Sequence, residues 1–246
     1  MVELLPESLS LSASIALIAI SFVASGLTAA IGIGGGTLML ASMAQILPAV
    51  AIIPLHGVVQ LGSNAGRAAV FAKHLNLHLV SSFVTGAILG VLFGGSIVVA
   101  LPDSVIKVVL ACFILASVWL PALRTVKLGL RGLFLGGILT SALTMFVGAT
   151  GPMVISLLRS FKQSPIELVA NNALCLLCQH TLKVLVFGLL GFTFQPYIGL
   201  LFFMIIAGFA GTLIGKQILL KRADSEFTWL LNVVLTIMAI RLLLSA

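Results

Sequence analysis

Long apolar runs separated by short polar links recur down the whole chain. Runs of about the 20 residues that a membrane-crossing helix needs occupy 11–31, 52–71, 79–101, 104–123, 129–147, 166–188, 196–215 and 227–244. Two shorter runs, 37–47 and 152–160, each follow a glycine-rich interruption. These interruptions are Gly32-Ile33-Gly34-Gly35-Gly36 and a looser echo, Gly148-Ala149-Thr150-Gly151-Pro152. Glycine gives up the most backbone freedom on ordering, so a cluster of it after a helix-length run predicts that the helix stops. Hydrocarbon cannot satisfy the freed N–H and C=O groups, so such a break must be buried in protein or line a wet cavity. Two broken helices in corresponding places point to a transporter binding site. The expected fold is an all-α polytopic membrane protein with about eight long helical segments, the whole of 1–246 forming one transmembrane domain.

The two halves align with each other. At an offset of 116, Ser25, Leu27 and Thr28 meet Ser141, Leu143 and Thr144; Gly32 and Gly35 meet Gly148 and Gly151; Arg67 meets Lys183. After a five-residue insertion the offset is 121, and Gly90, Gly94 and Asp103 meet Gly211, Gly215 and Asp224. The ordered matches predict an internal duplication, with repeats at about 8–123 and 124–246. If each glycine break is the tip of a re-entrant or broken hairpin, each repeat is a hairpin plus three crossings, and the odd count inverts the second repeat. With the N-terminus outside, Lys73, Arg124, Lys127, Arg131, Arg159, Lys162, Lys216, Lys221 and Arg222 then fall inside, as positive-inside loops should; Lys107 and Arg241 do not. If 11–31 and 129–147 cross fully instead, the duplication is parallel, and no orientation collects all the basic loops on one side. The inverted arrangement is the expected one.

Composition adds the class. The chain is 61% hydrophobic and 8% charged, which excludes an ordinary soluble domain. Its net charge of +7 sits in the links between helices and is no nucleic-acid signal. Glu3 and Glu7, with no early Lys or Arg, do not make the basic start of a cleaved signal peptide, so the first helix is expected to stay.

Polar residues inside spans are costly and usually face a cavity or a partner. His56, Gln60, Asn64 and Arg67 share one helical face in the first repeat; Asn172, Gln179, His180 and Lys183 occupy the matching helix of the second. A helix leaving a hairpin tip presents free N–H groups and the positive end of its dipole. Gly34 to Leu38 and Thr150 to Val154 would supply these donors, with Pro152 contributing none. Two cations beside two such tips predict an anion site. Its expected residues are Gly32, Gly34, Gly35, Gly36, Thr37, Asn64, Arg67, Gly148, Thr150, Gly151, Pro152, His180 and Lys183, with His56 and His180 as candidate proton carriers. The competing readings are that Arg67 and Lys183 snorkel to the interfaces and that the histidines only pack. Ser164-Pro165-Ile166-Glu167 reads as a capping box, which accounts for Glu167 without transport. Asp103 and Asp224 read as N-caps. The glycines at 86, 90, 94, 95, 208, 211 and 215 read as close helix packing.

Catalytic motifs are missing. Gly32 to Gly36 lacks the Gly-Lys-Ser/Thr ending of a P-loop, no HExxH occurs, and no paired carboxylates lie within a span. Cys175 and Cys178 stand i, i+3 in an apolar helix, too few ligands for a zinc site, and are read with Cys112 as packing residues. No enzyme activity, cofactor or metal is expected.

The stretch Thr28-Ala-Ala-Ile-Gly-Ile-Gly-Gly-Gly-Thr37, its echo, and the segment layout resemble the TauE/SafE family of bacterial sulfite exporter-like and toluene-sulfonate uptake permease-like proteins. In that family the second motif reads more like Gly-x-Gly-Gly-Pro; here Thr150 stands where a glycine is expected. The resemblance implies a multi-pass carrier of the cell inner membrane for sulfur-containing anions such as sulfite, sulfonates or sulfoacetate. The family motif carries over onto Gly32, Gly34, Gly35, Gly36, Gly148, Gly151 and Pro152. The resulting expectation is a secondary transporter working by alternating access; a passive anion channel and a non-transporting membrane subunit are the alternatives. Expected partners are the small anion, the lipid bilayer and, as a candidate, a second copy of the chain as a homodimer.

Overall fold

The computed structural model describes residues 5–31, 34–98, 102–119, 129–219 and 225–246. Gly32, Arg124, Lys127, Lys221, Arg222, Asp224 and Glu3 lie outside the described residues. Among the described residues the secondary structure is helical throughout. The helices are α1 (Leu11–Ile31), α2 (Gly35–Ile46), α3 (Ala49–Val70), α4 (Leu77–Val98), α5 (Asp103–Trp119), α6 (Leu130–Val147), α7 (Gly151–Leu158), α8 (Pro165–Leu189), α9 (Ile198–Leu219) and α10 (Ser225–Leu244). Five described stretches, at α1, α4, α6, α8 and α9, are long and apolar enough to cross a membrane.

Both glycine clusters break the helix where the sequence places them. Gly34 between α1 and α2 has φ 94°, and Gly148 between α6 and α7 has φ 76°, a left-handed region in which an L side chain crowds its own carbonyl. After each break the chain folds back. The Cα of Gly35 packs against the Ala24 carbonyl and the Thr28 hydroxyl of α1, and Leu157 of α7 packs against Gly136 of α6.

Packing exchanges elements between the halves. The α1 helix lies along α9, and α4 lies along α6. In the first pair the carbonyls of Phe22 and Gly26 meet Gly211 and Gly215, and Ser21 Oγ donates to the Met204 carbonyl at 2.7 Å. In the second, the carbonyls of Phe134, Ile138 and Ala142 meet Gly86, Gly90 and Gly94. Residue numbers rise together, so both pairs are parallel. Only the missing Cβ lets the backbones come this close, as expected for glycines that serve packing. The central pair, α3 and α8, is antiparallel: Gly57 meets Lys183 at one end, while Phe71 clusters with Val169 and Ala170 at the other. The α5–α10 pair is antiparallel too, with Lys107 Nζ donating to the Ser245 carbonyl at 2.7 Å and Trp119 Nε1 to Thr236 Oγ1 at 2.9 Å.

One end of the bundle collects basic side chains. Lys216 Nζ stands 5.8 Å from the Phe71 ring centroid, bringing the end of α9 beside the end of α3. Ser82 Oγ donates to the Leu130 carbonyl at 2.7 Å, and Asn76 N–H to Asn171 Oδ1 at 2.7 Å. Lys73, Arg131, Arg159, Lys162 and Lys216 therefore share this end.

The capping box before α8 is present: Glu167 N–H donates to Ser164 Oγ at 3.3 Å, and Ser164 N–H to Glu167 Oε2 at 2.7 Å. The expectation that Asp103 caps α5 is corrected. Asp103 is the first helical residue, and Pro102 holds the cap position, its carbonyl accepting from Ile106 N–H at 3.1 Å. A carboxylate in the first turn still complements the helix dipole.

Candidate functional site

The two breaks meet in space. Gly34, Gly36 and Thr37 from the first, and Ala149, Gly151 and Pro152 from the second, line one cavity of about 20 Å³ together with Thr28, His56, Gln60, Arg67, Asn172, Leu176 and His180. That volume admits about one water. The antiparallel α3 and α8 form its walls and carry the two polar stripes inward.

Both cations are buried, Arg67 at 2% and Lys183 at 0% exposure, so neither snorkels to an interface. Their partners are neutral. Arg67 Nη1 donates to Ser63 Oγ at 2.9 Å and Nη2 to Asn64 Oδ1 at 2.6 Å. Ser63 Oγ lies 2.7 Å from Ser25 Oγ, and Asn64 Nδ2 donates to the Gln60 carbonyl at 2.7 Å. This ladder fixes the guanidinium against α1 and leaves it facing the cavity.

The second half repeats the scheme with a different outcome. Gln179 Nε2 donates to Ser141 Oγ at 2.8 Å, the counterpart of the Ser25–Ser63 contact at the offset of 116. Thr150 Oγ1 donates to Gln179 Oε1 at 3.0 Å. Lys183 Nζ donates to the Gly148 carbonyl at 2.8 Å. The ammonium thus holds the second tip by its backbone, whereas the guanidinium of Arg67 lines the space between the tips.

Electrostatically the cavity favours negative charge. Among the carboxylates whose side chains are described, Glu7, Asp103 and Glu167 are not buried, and none of them lines it. Two buried cations with no described carboxylate lining the same cavity are costly unless an anion joins them. Five buried side-chain polar atoms among the described residues lack a hydrogen-bond partner, and three of them, His56 Nδ1, Asn172 Oδ1 and His180 Nδ1, belong to residues lining this cavity. Buried polar atoms are normally paired, and these three gather around one cavity. The two histidine rings meet edge-on, 5.9 Å between centroids.

The structure sorts the residues expected from sequence. Gly34, Gly36, Thr37, His56, Arg67, Gly151, Pro152 and His180 line the cavity. Gly35 is turned into α1, Asn64 orients Arg67, Thr150 orients Gln179, and Gly148 is held by Lys183. The expected row of amide donors is shorter than the sequence suggests. Leu38 N–H bonds to the Gly34 carbonyl at 2.9 Å, and Met153 and Val154 N–H bond to the Thr150 carbonyl at 3.0 and 3.1 Å, because the helices close their first turns at once. Gly35, Gly36 and Thr37 in the first tip, and Gly151 in the second, precede the first intrahelical bond. Sequence reasoning did not select Thr28, Gln60, Ala149, Asn172 or Leu176. Gln60 and Asn172 stand on the polar stripes, but nothing in the spacing separates them from their neighbours. Among the described residues, no group of three or more His, Cys, Asp or Glu side chains could hold a metal ion.

The family model for the sulfite exporter TauE/SafE matches residues 17–242, from α1 into α10. The chain belongs to the sulfite exporter TauE/SafE family. No curated protein and no solved structure matches it. TauE/SafE proteins form a membrane transporter family, and the long apolar helices of this member agree with an integral membrane protein. In this TauE/SafE protein the glycine motifs form the two helix breaks, and the two breaks share one cationic cavity.

Proposed function

We propose that this TauE/SafE protein is a secondary transporter of small sulfur-containing anions, of the sulfite, sulfonate and sulfoacetate type, across the bacterial inner membrane. The observation that carries the reading is that both helix breaks and Arg67 line a single cavity, with no carboxylate among its described lining residues. The anion sits between the tips, its oxygens taking first-turn N–H groups from α2 and α7 and a charge-assisted bond from Arg67. Asn64 and Ser63 position Arg67, and Lys183 and Gln179 position the second tip. His180 and Asn172 complete the wall.

Alternating access between two inverted repeats is the proposed mechanism. Its support is the pairing of like elements across the halves: antiparallel α3 with α8 and α5 with α10, and the exchanged pairs α1–α9 and α4–α6. A parallel duplication would point α3 and α8 the same way. The basic end shared by Lys73, Arg131, Arg159, Lys162 and Lys216 suits the cytoplasmic side.

The test is binding followed by flux. Purified protein should gain thermal stability with at least one of sulfite, sulfoacetate, taurine or sulfate, and proteoliposomes should show saturable counterflow of that anion without conductance. Conductance with a reversal potential set by the anion gradient would make the protein a channel. If no anion of the panel stabilises it and Gly35→Leu leaves the host's anion phenotype intact, transport of this class is refuted.

A further inference from the structure

His56 touches both hairpins. Its Nε2 lies 3.0 Å from the carbonyl of Gly36 in the first turn of α2. A carbonyl only accepts, so Nε2 carries the hydrogen, and in the neutral ring Nδ1 is then a bare lone pair. That Nδ1 is buried without a hydrogen-bond partner. It faces the second tip, where a Cβ on Gly148 would stand 3.6 Å from it.

The charged and titratable groups around the ring are few. The α8 helix presents His180, 5.9 Å away between ring centroids, and Lys183, whose stem packs against Gly57. On α3 itself Arg67 lines the same cavity. The sequences of α2 and α7 contain no titratable side chain, and that of α6 contains only Arg131, at its exposed start. Lys183 and Thr144 donate to the Gly148 carbonyl, and His56 Nδ1 stands beside the same backbone. No described carboxylate shares the cavity.

This leaves a specific asymmetry. Neutral His56 brings no charge to the cavity it lines. Protonated His56 brings a positive charge there, its new N–H directed at the second tip. Anion occupancy and protonation therefore favour each other, and linkage makes the effect reciprocal. Resting on the anion-transport reading above, we propose that His56 is the proton-coupling residue: it takes one proton on Nδ1 when the anion occupies the cavity between the hairpins, and releases it when the anion leaves. The proton comes from water on the side the anion enters. An N–H bond forms as an O–H bond of that water's hydronium breaks, and the reverse happens on the far side. Anion and proton move together, and the added charge on the ring offsets one charge of the anion.

The test is calorimetric. Sulfite is titrated into the purified protein at one pH between about 6 and 7, where a histidine can titrate, in buffers of different ionisation heat. The dependence of the heat on the buffer counts protons taken up, after sulfite's own proton exchange is subtracted. The wild-type protein should take up about one proton per sulfite bound, as should Lys107→Gln at the surface. His56→Gln keeps a side-chain amide but has no titratable nitrogen, and should take up close to none. Zero uptake in the wild type overturns the proposal whatever the variant does, including a variant that fails to fold. Uptake lost in His180→Gln while His56→Gln retains it also overturns it, by moving the proton to His180. A wild-type protein that binds none of the sulfur anions refutes the transport reading itself, a separate failure that removes this inference with it.

Discussion

Replacing Arg67 by glutamine separates two quantities that usually move together. In the free protein the guanidinium is 2% exposed and its donors meet only neutral oxygens, at 2.9 Å on Ser63 and 2.6 Å on Asn64. Burying such a charge costs several kcal/mol, and each hydrogen bond to a charged group returns about 1.5–3 kcal/mol. These terms nearly cancel, and glutamine keeps an amide donor, so the stability of the free protein should change by less than about 1 kcal/mol. The anion complex behaves differently. An anionic oxygen about 4 Å from the guanidinium gains about 4 kcal/mol at an effective dielectric of about 20. At about 1.4 kcal/mol per decade, its loss raises Kd by about three orders of magnitude. Melting curves of the free protein and sulfite titrations of Arg67→Gln beside Lys107→Gln measure both numbers. Lys107 is the proper control, since its ammonium donates to the Ser245 carbonyl at the surface. Equal affinity losses in the two variants would refute the reasoning, as would an Arg67→Gln protein that binds within about threefold of wild type.

Three further outcomes follow from the geometry. Gly148→Ala should cost at least about 1–2 kcal/mol in thermal unfolding, because φ is 76° and the new Cβ would lie 2.8 Å from Leu40 Cδ1; an unchanged melting temperature refutes the strain. Ser164→Ala removes the cap of α8 and should cost about 1 kcal/mol without altering sulfite affinity, since Ser164 lies away from the cavity. With the exposed Cys112 replaced by serine, an impermeant thiol reagent should label Val50→Cys and Lys162→Cys from opposite membrane faces; labelling from one face would end the proposed inverted topology.

Much of this architecture is written in local sequence. Gly34 and Gly148 sit where helices must end, and nothing distant is needed to stop them: a backbone with positive φ and no Cβ does it alone. Ser164 and Glu167 make a capping box from four consecutive residues. The spacing of Gly86, Gly90 and Gly94 marks a helix face fit for close approach, although not its partner; that the partner is α6 depends on backbone carbonyls dozens of residues away. Asp103 shows the limit at short range, since a cap is a matter of backbone angles at Pro102 that the residue types leave open.

The site divides the same way. Sequence by itself determined two helix breaks, two polar stripes and the offset of 116 between Arg67 and Lys183, because each depends on residues close in the chain or on a simple register. Only the tertiary structure decided that the breaks share one cavity, that Arg67 faces it while Lys183 turns to the Gly148 carbonyl, and that Gln60, Asn172 and Thr28 belong to its wall. The physical reason is that a helix fixes which residues share a face, whereas the rotation of that face is set by the helix packed against it. In this fold those neighbours, α9 against α1 and α6 against α4, come from the other half of the chain.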